Sequence, residues 1–224
     1  IVQKETYDLE EIKSESDGVC LKYRGNFLKL IPEENEMGQT LTAQINKKEK
    51  QTAFWDGESQ SFIFNDKSFG SLKFDTYREK GTQYLIIYDG DMTWNFYKED
   101  GAARYVFVNQ YGKLDEIQNA AAVFKGHERS LSGRGYIWGR TIPLLKKFLL
   151  WGSGPDTFTV KFPQTDYVMK VNTGLNMYQQ LPTKAHSMYL QSALQTGILS
   201  GICLLMFFLH YIRIAVRNAK TEKN

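Results

Sequence analysis

The sequence predicts an α+β chain: an antiparallel β-rich extracytoplasmic domain, then short loop helices, then a C-terminal transmembrane helix. Three observations carry this. Residues 18–112 break into short runs of alternating apolar and polar residues, rich in aromatic and β-branched side chains. From Ile198 to Ile212 there is no Asp, Glu, Lys or Arg. That run ends in a tail carrying Arg213, Arg217, Lys220 and Lys223 against the single acid Glu222. The expected organisation is an irregular entry (1–17), the β-rich domain (18–112), a helical loop region (113–192), the transmembrane helix (193–216) and a tail (217–224).

The strands come first. VCLKYRG, NFLKLIP, TLTAQIN, QTAFW, SFIFN, SLKFDTYRE, TQYLIIYD, TWNFYKE and ARYVFVNQYG are each strand-like. Turn-forming pairs lie between them, among them Arg24-Gly25, Lys80-Gly81 and Asp89-Gly90. This spacing predicts an antiparallel sandwich or rolled sheet. The alternation over Ser71–Tyr77 implies one packed face and one wet face. Trp55, Tyr77, Tyr84, Tyr88, Trp94 and Tyr97 either form a stacking platform for sugars or fill the core.

The middle of the chain is read as helices broken by glycine. Leu114, Ile117, Ala121 and Phe124 are spaced as a short helix. Residues 125–135, KGHERSLSGRG, set His127, Arg129 and Arg134 among Gly and Ser. Such a loop can hold a phosphate by guanidinium forks and by free N–H groups at the start of the next helix, or it is a solvated charged loop. YIWGRTIPLLKKFLL predicts an amphipathic helix that Pro143 kinks or restarts. Arg134 and Trp138 lie four apart, within stacking reach on one face. WGSGPDTF is a tight glycine turn, and DTFTVKF a further short helix ended by Pro163.

The apolar run is the chain's clearest feature. A helix crossing about 30 Å of hydrocarbon needs about 20 residues. Extension back through Leu194 and forward through Val216 supplies them. The basic tail places that end in the cytoplasm and residues 1–192 outside. Ile, not Met, stands first and no signal peptide is visible, so an exported domain is expected to belong to a longer, multi-pass membrane protein. The formal charge is +3. The tail accounts for it, because the rest of the chain balances acids and bases, which argues against nucleic acid as a partner. Cys20 and Cys203 fall in different environments, and no cysteine or histidine spacing fits a metal. No cofactor is implied.

The strings SLSGRGYIWGRTIPLLKKFLLWGSGPDTF, FPQTDYVMK and KAHSMYLQSALQTGILSG, in this order, resemble the large extracytoplasmic loop of the O-antigen ligase family. That family includes lipopolysaccharide ligases and polymerases of lipid-linked polysaccharides. The first string is similar to its Ser-Gly-Arg…Trp segment, Gly-x-Gly turn and Phe. The last is similar to its His-Asn-x-x-Leu-Gln…Glu-x-Gly segment ahead of a membrane helix. Ser187 stands where Asn is usual, and Gln195 where Glu is frequent. The resemblance covers residues 129–212, and the strand-rich part looks like an insertion.

The resemblance implies a membrane glycosyltransferase. Its donor is an undecaprenyl-diphosphate-linked glycan, its acceptor a hydroxyl of a saccharide or other glycan, and its surroundings membrane lipid. It assigns the catalytic roles to His186 and Arg134. Arg129, Arg140, Trp138 and Lys184 are the candidates for binding substrate. The chemistry fits these residue types. A lipid diphosphate is already a good leaving group, so transfer needs a cation for the developing charge and an acceptor for the hydroxyl proton. Arginine supplies a permanent bidentate cation, and an imidazole accepts a proton near neutral pH. His186 is expected where the outer loop meets the membrane. These residues alone are expected to be inactive. The competing reading is a membrane-anchored, non-catalytic glycan-binding or scaffold domain.

Overall fold

The computed structural model describes residues 4–36 and 38–221. Residues 1–3 of the entry and 222–224 of the tail lie outside the described residues, including Glu222 and Lys223. The chain divides into two compact units. One comprises Tyr7–Asn119 and Thr165–Asn172; the other comprises Ile1–Thr6, Ala120–Gln164 and Thr173–Asn224.

The first unit contains two antiparallel sheets, each a meander whose neighbours in space are neighbours in sequence. The five-stranded sheet runs β1 (Leu9–Ser14), β2 (Val19–Tyr23), β3 (Asn26–Asn35), β4 (Gly38–Ile45) and β5 (Glu49–Thr52). The seven-stranded sheet runs β6 (Phe54–Asp56), β7 (Ser61–Ile63), β8 (Lys73–Glu79), β9 (Thr82–Asp89), β10 (Met92–Glu99), β11 (Val106–Val108) and β12 (Leu114–Asp115). The period of two is written directly into burial. Val19, Leu21 and Tyr23 are buried, as are Leu41, Ala43 and Ile45, Leu85 and Ile87, and Trp94 and Phe96. Arg24-Gly25 and Lys80-Gly81 each have positive φ at both positions. A type I′ hairpin turn demands that, and its twist matches the strands it joins.

Three expectations for this unit change. Residues 1–17 are not irregular throughout, because Leu9–Ser14 pairs with β2 and buries Leu9 and Ile12. QTAFW is not one strand: the chain crosses at the buried Ala53, so β5 and β6 lie in different sheets. Residues 114–124 are not a helix. Leu114 and Asp115 pair with β11, and Gln118 N–H donates to Thr165 O at 2.9 Å. The apolar spacing there carried little driving force, since Leu114 and Phe124 are both more than half exposed.

The aromatic residues split between two roles. Trp94 is fully buried. Tyr77, Tyr84 and Tyr97 are paired across β8, β9 and β10 on the other face. Tyr77 and Tyr84 stack at 4.6 Å, and Tyr84 meets Tyr97 at 6.2 Å. One short helix, Tyr167–Asn172, completes the unit.

The second unit holds α1 (Arg134–Leu145), α2 (Phe158–Lys161), α4 (Met188–Thr196) and α5 (Ile198–Thr221), with α3 (Tyr167–Asn172) lying in the strand unit. Pro143 lies inside α1. It has no N–H for the carbonyl four residues back, and Val123 N–H donates to that Gly139 carbonyl instead, at 3.0 Å. Gly135 and Gly139 let residues 123–128 lie against the helix. A β-carbon on either would fall 2.1 Å from His127 O or 2.6 Å from Val123 O.

The C-terminal helix differs from the expected continuous span over 193–216. Gly197, at φ 97°, separates α4 from α5. The helices then pack as a hairpin. Ser192 Oγ lies 3.3 Å from Ser200 Oγ, and the Tyr189 ring meets the Phe208 ring edge-on at 6.3 Å. The 21 residues Ile198–Asn218 are long and apolar enough to cross a membrane, and almost none of that span is buried within the chain. His186, expected ahead of the membrane helix, therefore lies at the far end of α4, which runs back beside α5.

Candidate functional site

Glycine at 197 lets the chain reverse, and glycine at 152 lets another segment seal the break. Helix α4 ends with carbonyls that have no partner further along the helix. Ser153 N–H donates to Leu194 O at 2.7 Å, and Gly154 N–H donates to Gln195 O at 3.0 Å. In return Leu149 O accepts from Ile198 N–H, the first residue of α5, at 2.9 Å. A β-carbon on Gly152 would lie 2.2 Å from Gln195 O, and one on Gly197 would lie 2.2 Å from Leu150 O. Both glycines also have positive φ. The Trp-Gly-Ser-Gly turn is thus the cap of the α4–α5 break.

The arginine-bearing loop, residues 125–135, is held from inside. Glu128 is buried, and its Oε2 accepts from Gly126 N–H at 2.7 Å. Its Oε1 lies 3.4 Å from an Arg140 guanidinium nitrogen, and that guanidinium stands 4.7 Å from the Tyr136 ring centroid. Two opposite charges share a dry interior, a pairing that is strongly destabilised when one partner is removed. Arg140, expected to bind substrate, is only 3% exposed. Its geometry is that of a group fixing the loop to α1.

The start of α1 does not offer the free N–H groups expected there. Arg134 N–H donates to Leu131 O, Gly135 N–H to Ser130 O and Tyr136 N–H to Glu128 O. Leu131, Ser132 and Gly133 are all left-handed, which folds the loop over the helix end and consumes those donors. Arg129 and Arg134 project from this loop as exposed side chains. Any anion-binding capacity here belongs to their guanidinium groups.

His186 is exposed and has φ 51°, a left-handed backbone for a residue with a β-carbon. Ser187 follows as the N-cap of α4, its Oγ accepting from Leu190 N–H at 3.4 Å. Serine is among the favoured N-cap residues, and Ser187 fills that role here. Asp156, Lys184, His186, Ser187, Gln191 and Gln195 line an open cleft of ≈ 570 Å³. The cleft therefore combines a cation, an imidazole, a carboxylate and amide groups.

Of the expected site residues, Lys184 and His186 come together in this cleft. Arg129 and Arg134 stand on the loop and helix start described above. Trp138 bridges the two regions: its indole N–H donates to Ala185 O at 2.8 Å, beside His186. Arg134 is one helical turn before Trp138, about 6 Å along the axis of α1. Glu128 and Asp156 passed unnoticed in the sequence. A single acid within a basic loop was Glu128's only signal, and Asp156 read as the start of the short helix DTFTVKF. Gln191 was legible only as part of the Leu-Gln pair of the family pattern.

Burial sets the ionisation of several groups elsewhere. It pushes the Cys20 thiol up to about 12, with the Glu15 carboxylate adding to the rise. Lys170, on α3 and fully buried, is held below the usual lysine range by desolvation, while Asp166 and Asp115 oppose that shift.

A family model described as O-antigen ligase matches residues 101–205. The match takes in the end of the strand unit, the arginine loop, α1, the glycine turn, the His186 cleft and the first two turns of α5. The strands before residue 101 lie outside it. No curated protein and no solved structure matches the chain.

Proposed function

We propose, on the premise that residues 101–205 are a segment of the O-antigen ligase family, that this chain carries part of the reaction centre of a membrane glycosyltransferase. The donor is a glycan on undecaprenyl diphosphate, and the acceptor is a hydroxyl of another glycan. The C–O bond between the sugar's anomeric carbon and the diphosphate breaks, and its electron pair leaves with the phosphate. The acceptor oxygen forms the new bond to that carbon while His186 takes its proton. Arg134 and Lys184 offset the charge gathering on the leaving diphosphate, with Arg129 as a further cation on the same loop as Arg134.

The observation that carries this reading is the cleft in which His186 and Lys184 meet, beside the helix that matches a membrane span. The indole bond from Trp138 supports the rest, since it brings the helix bearing Arg134 against the peptide before His186. Because α4 runs back along α5 and sets Tyr189 against Phe208, the His186 end of the cleft stands beside the middle of the apolar helix. Arg213 and Arg217 at the far end support a cytoplasmic side there.

The test replaces His186 or Arg134 with Ala in the full-length membrane protein and follows glycan transfer from a defined lipid-diphosphate donor. Each change is expected to lower the rate about 10²-fold or more. Unchanged transfer in both variants overturns the reading. Trp55 and Tyr77, exposed at 54% and 40%, favour a second role for the strand unit, the holding of a glycan by ring contacts. Saccharide binding that survives loss of Arg134 but not of Trp55 and Tyr77 is its signature.

A further inference from the structure

We propose that Trp138 and Gln191 are positioning residues that lock the backbone of His186 and thereby aim its imidazole into the cleft. The inference rests on the reading of His186 given above and adds what holds it.

His186 occupies a conformation that its own β-carbon disfavours. Such a residue persists only where its surroundings over-determine it. The surroundings here are specific. Ala185, the residue before it, is fully buried, and both of its backbone polar groups are taken by side chains. Its carbonyl accepts the Trp138 indole N–H at 2.8 Å, and its N–H donates to Gln191 Oε1 at 2.8 Å. On the other side of His186, the Ser187 carbonyl accepts Gln191 N–H, also at 2.8 Å. One residue, Gln191, therefore grips the chain on both flanks of the histidine, with its side chain before and its backbone after. Ser187 is extended, at φ −146° and ψ 119°, so the left-handed step is confined to His186 between two fixed neighbours.

Each contact has a distinct consequence. The Gln191 side chain closes a short ring that begins at Ala185 and ends in the first turn of α4. Losing its acceptor frees the Ala185 peptide to rotate, and His186 can then relax out of the left-handed region. Trp138 acts from α1 and fixes the same peptide from its carbonyl side. It lies on the helix that starts at Arg134, so its bond also sets the spacing between the two groups on which the proposed chemistry depends. The indole N–H is therefore a strut between α1 and the His186 turn. Gln191 also lines the cleft, but its Oε1 is already engaged by Ala185.

The experiment is a double-mutant cycle in the full-length membrane protein, with transfer measured from a defined lipid-diphosphate donor. Trp138→Phe keeps an aromatic ring and removes the N–H. Gln191→Leu removes the acceptor, and Gln191→Glu restores one. Trp138→Phe and Gln191→Leu are each expected to lower kcat about 10-fold to 100-fold with little change in KM, the cost of a small misplacement. Gln191→Glu is expected to recover most of the loss. In the His186→Ala background both losses are expected to vanish, since a positioning residue has nothing left to position. Losses that multiply with that of His186→Ala overturn the inference even while the role of His186 stands. A second measurement needs no activity. Carbon chemical shifts of isotope-labelled His186 are expected to report a left-handed backbone in the parent and to leave that region in Trp138→Phe or Gln191→Leu. Unchanged shifts in both variants overturn the inference whatever the transfer assay shows about His186.

Discussion

The strand unit and the helical unit solve opposite problems. In the first, each strand pairs with its neighbour in sequence, and a two-residue period sorts side chains into core and surface. Its order is local and spread over many interchangeable apolar contacts. In the second, α1, α2 and α4 have 12, 4 and 9 residues, too short to be stable by propensity. Backbone from outside each helix pairs groups left open: Val123 N–H at Gly139 O inside α1, Ser153 N–H at Leu194 O near the end of α4, and Leu149 O at Ile198 N–H where α5 begins. Order there depends on a few points where only one arrangement fits. The left-handed His186 stands in the unit where the backbone is fixed point by point, and that kind of fixing is what directed chemistry requires.

This contrast can be broken in a definite sequence of experiments. Trp94→Ala empties the core of the strand unit and is expected to cost about 4 kcal/mol in denaturant unfolding. Glu128→Ala removes a carboxylate beside the buried Arg140 in the other unit, with an expected cost of about 3 kcal/mol. Glu128→Gln, which keeps an acceptor for Gly126 N–H, is expected to lose less. Should both Glu128 variants unfold like the parent, the buried pair does not hold the loop.

Gly152→Ala adds one methyl group where none fits, and about 2–3 kcal/mol of destabilisation is expected. Hydrogen exchange by mass spectrometry gives the sharper view. Protection is expected to fall over residues 149–154 and 193–198, with β8–β10 unaffected. Equal loss everywhere contradicts the idea of concentrated fixing points.

Smaller effects sharpen the comparison. His186→Gly relieves the left-handed strain and is expected to raise stability by up to about 1 kcal/mol while abolishing transfer. A lower melting temperature for His186→Gly removes strain from the account of this turn. On the strand unit's surface, Lys29 bridges Glu15 at 2.8 Å and Asp17 at 2.7 Å. Hydrogen bonds from Lys29 hold both carboxyls below their usual range. Depressed folded values mean stability that is present above the ordinary carboxylate range and is lost as pH falls through the folded values. Both carboxylates are about half-exposed, so Lys29→Met is expected to remove less than about 1 kcal/mol, and only above that acid window. An equal effect of Lys29→Met at pH 3 and pH 7 points to packing of its methylene stem instead.

The residues themselves show where sequence reading worked. Period-two burial made β2 to β4 and β8 to β10 legible, because a sheet with one packed face repeats the same instruction at every second residue. Helical spacing misled over residues 114–124, where the spaced residues are weakly buried and Leu114 and Asp115 pair with β11 instead. His186 was named through the family resemblance and Lys184 as a candidate beside it, and the two line one cleft. Arg140 was found by the same route and proved to be interior, because a pattern records which residue stands at a position and not which way its side chain faces.

By itself the sequence determined the two chemistries of the chain: alternating strands that must bury one face, and an apolar run that can cross a membrane. Tertiary structure alone decided that this run begins at Gly197 by reversing direction, and that Ser153, Gly154 and Leu149 seal the break. It also decided that Trp138 and Gln191 meet at Ala185. The physical reason is common to these cases. Apolar composition reads the same whether a helix continues or folds back, and a backbone hydrogen bond leaves no mark on residue identity. Only when the chain has folded does the geometry show which carbonyls need a donor and which side chain is there to supply it.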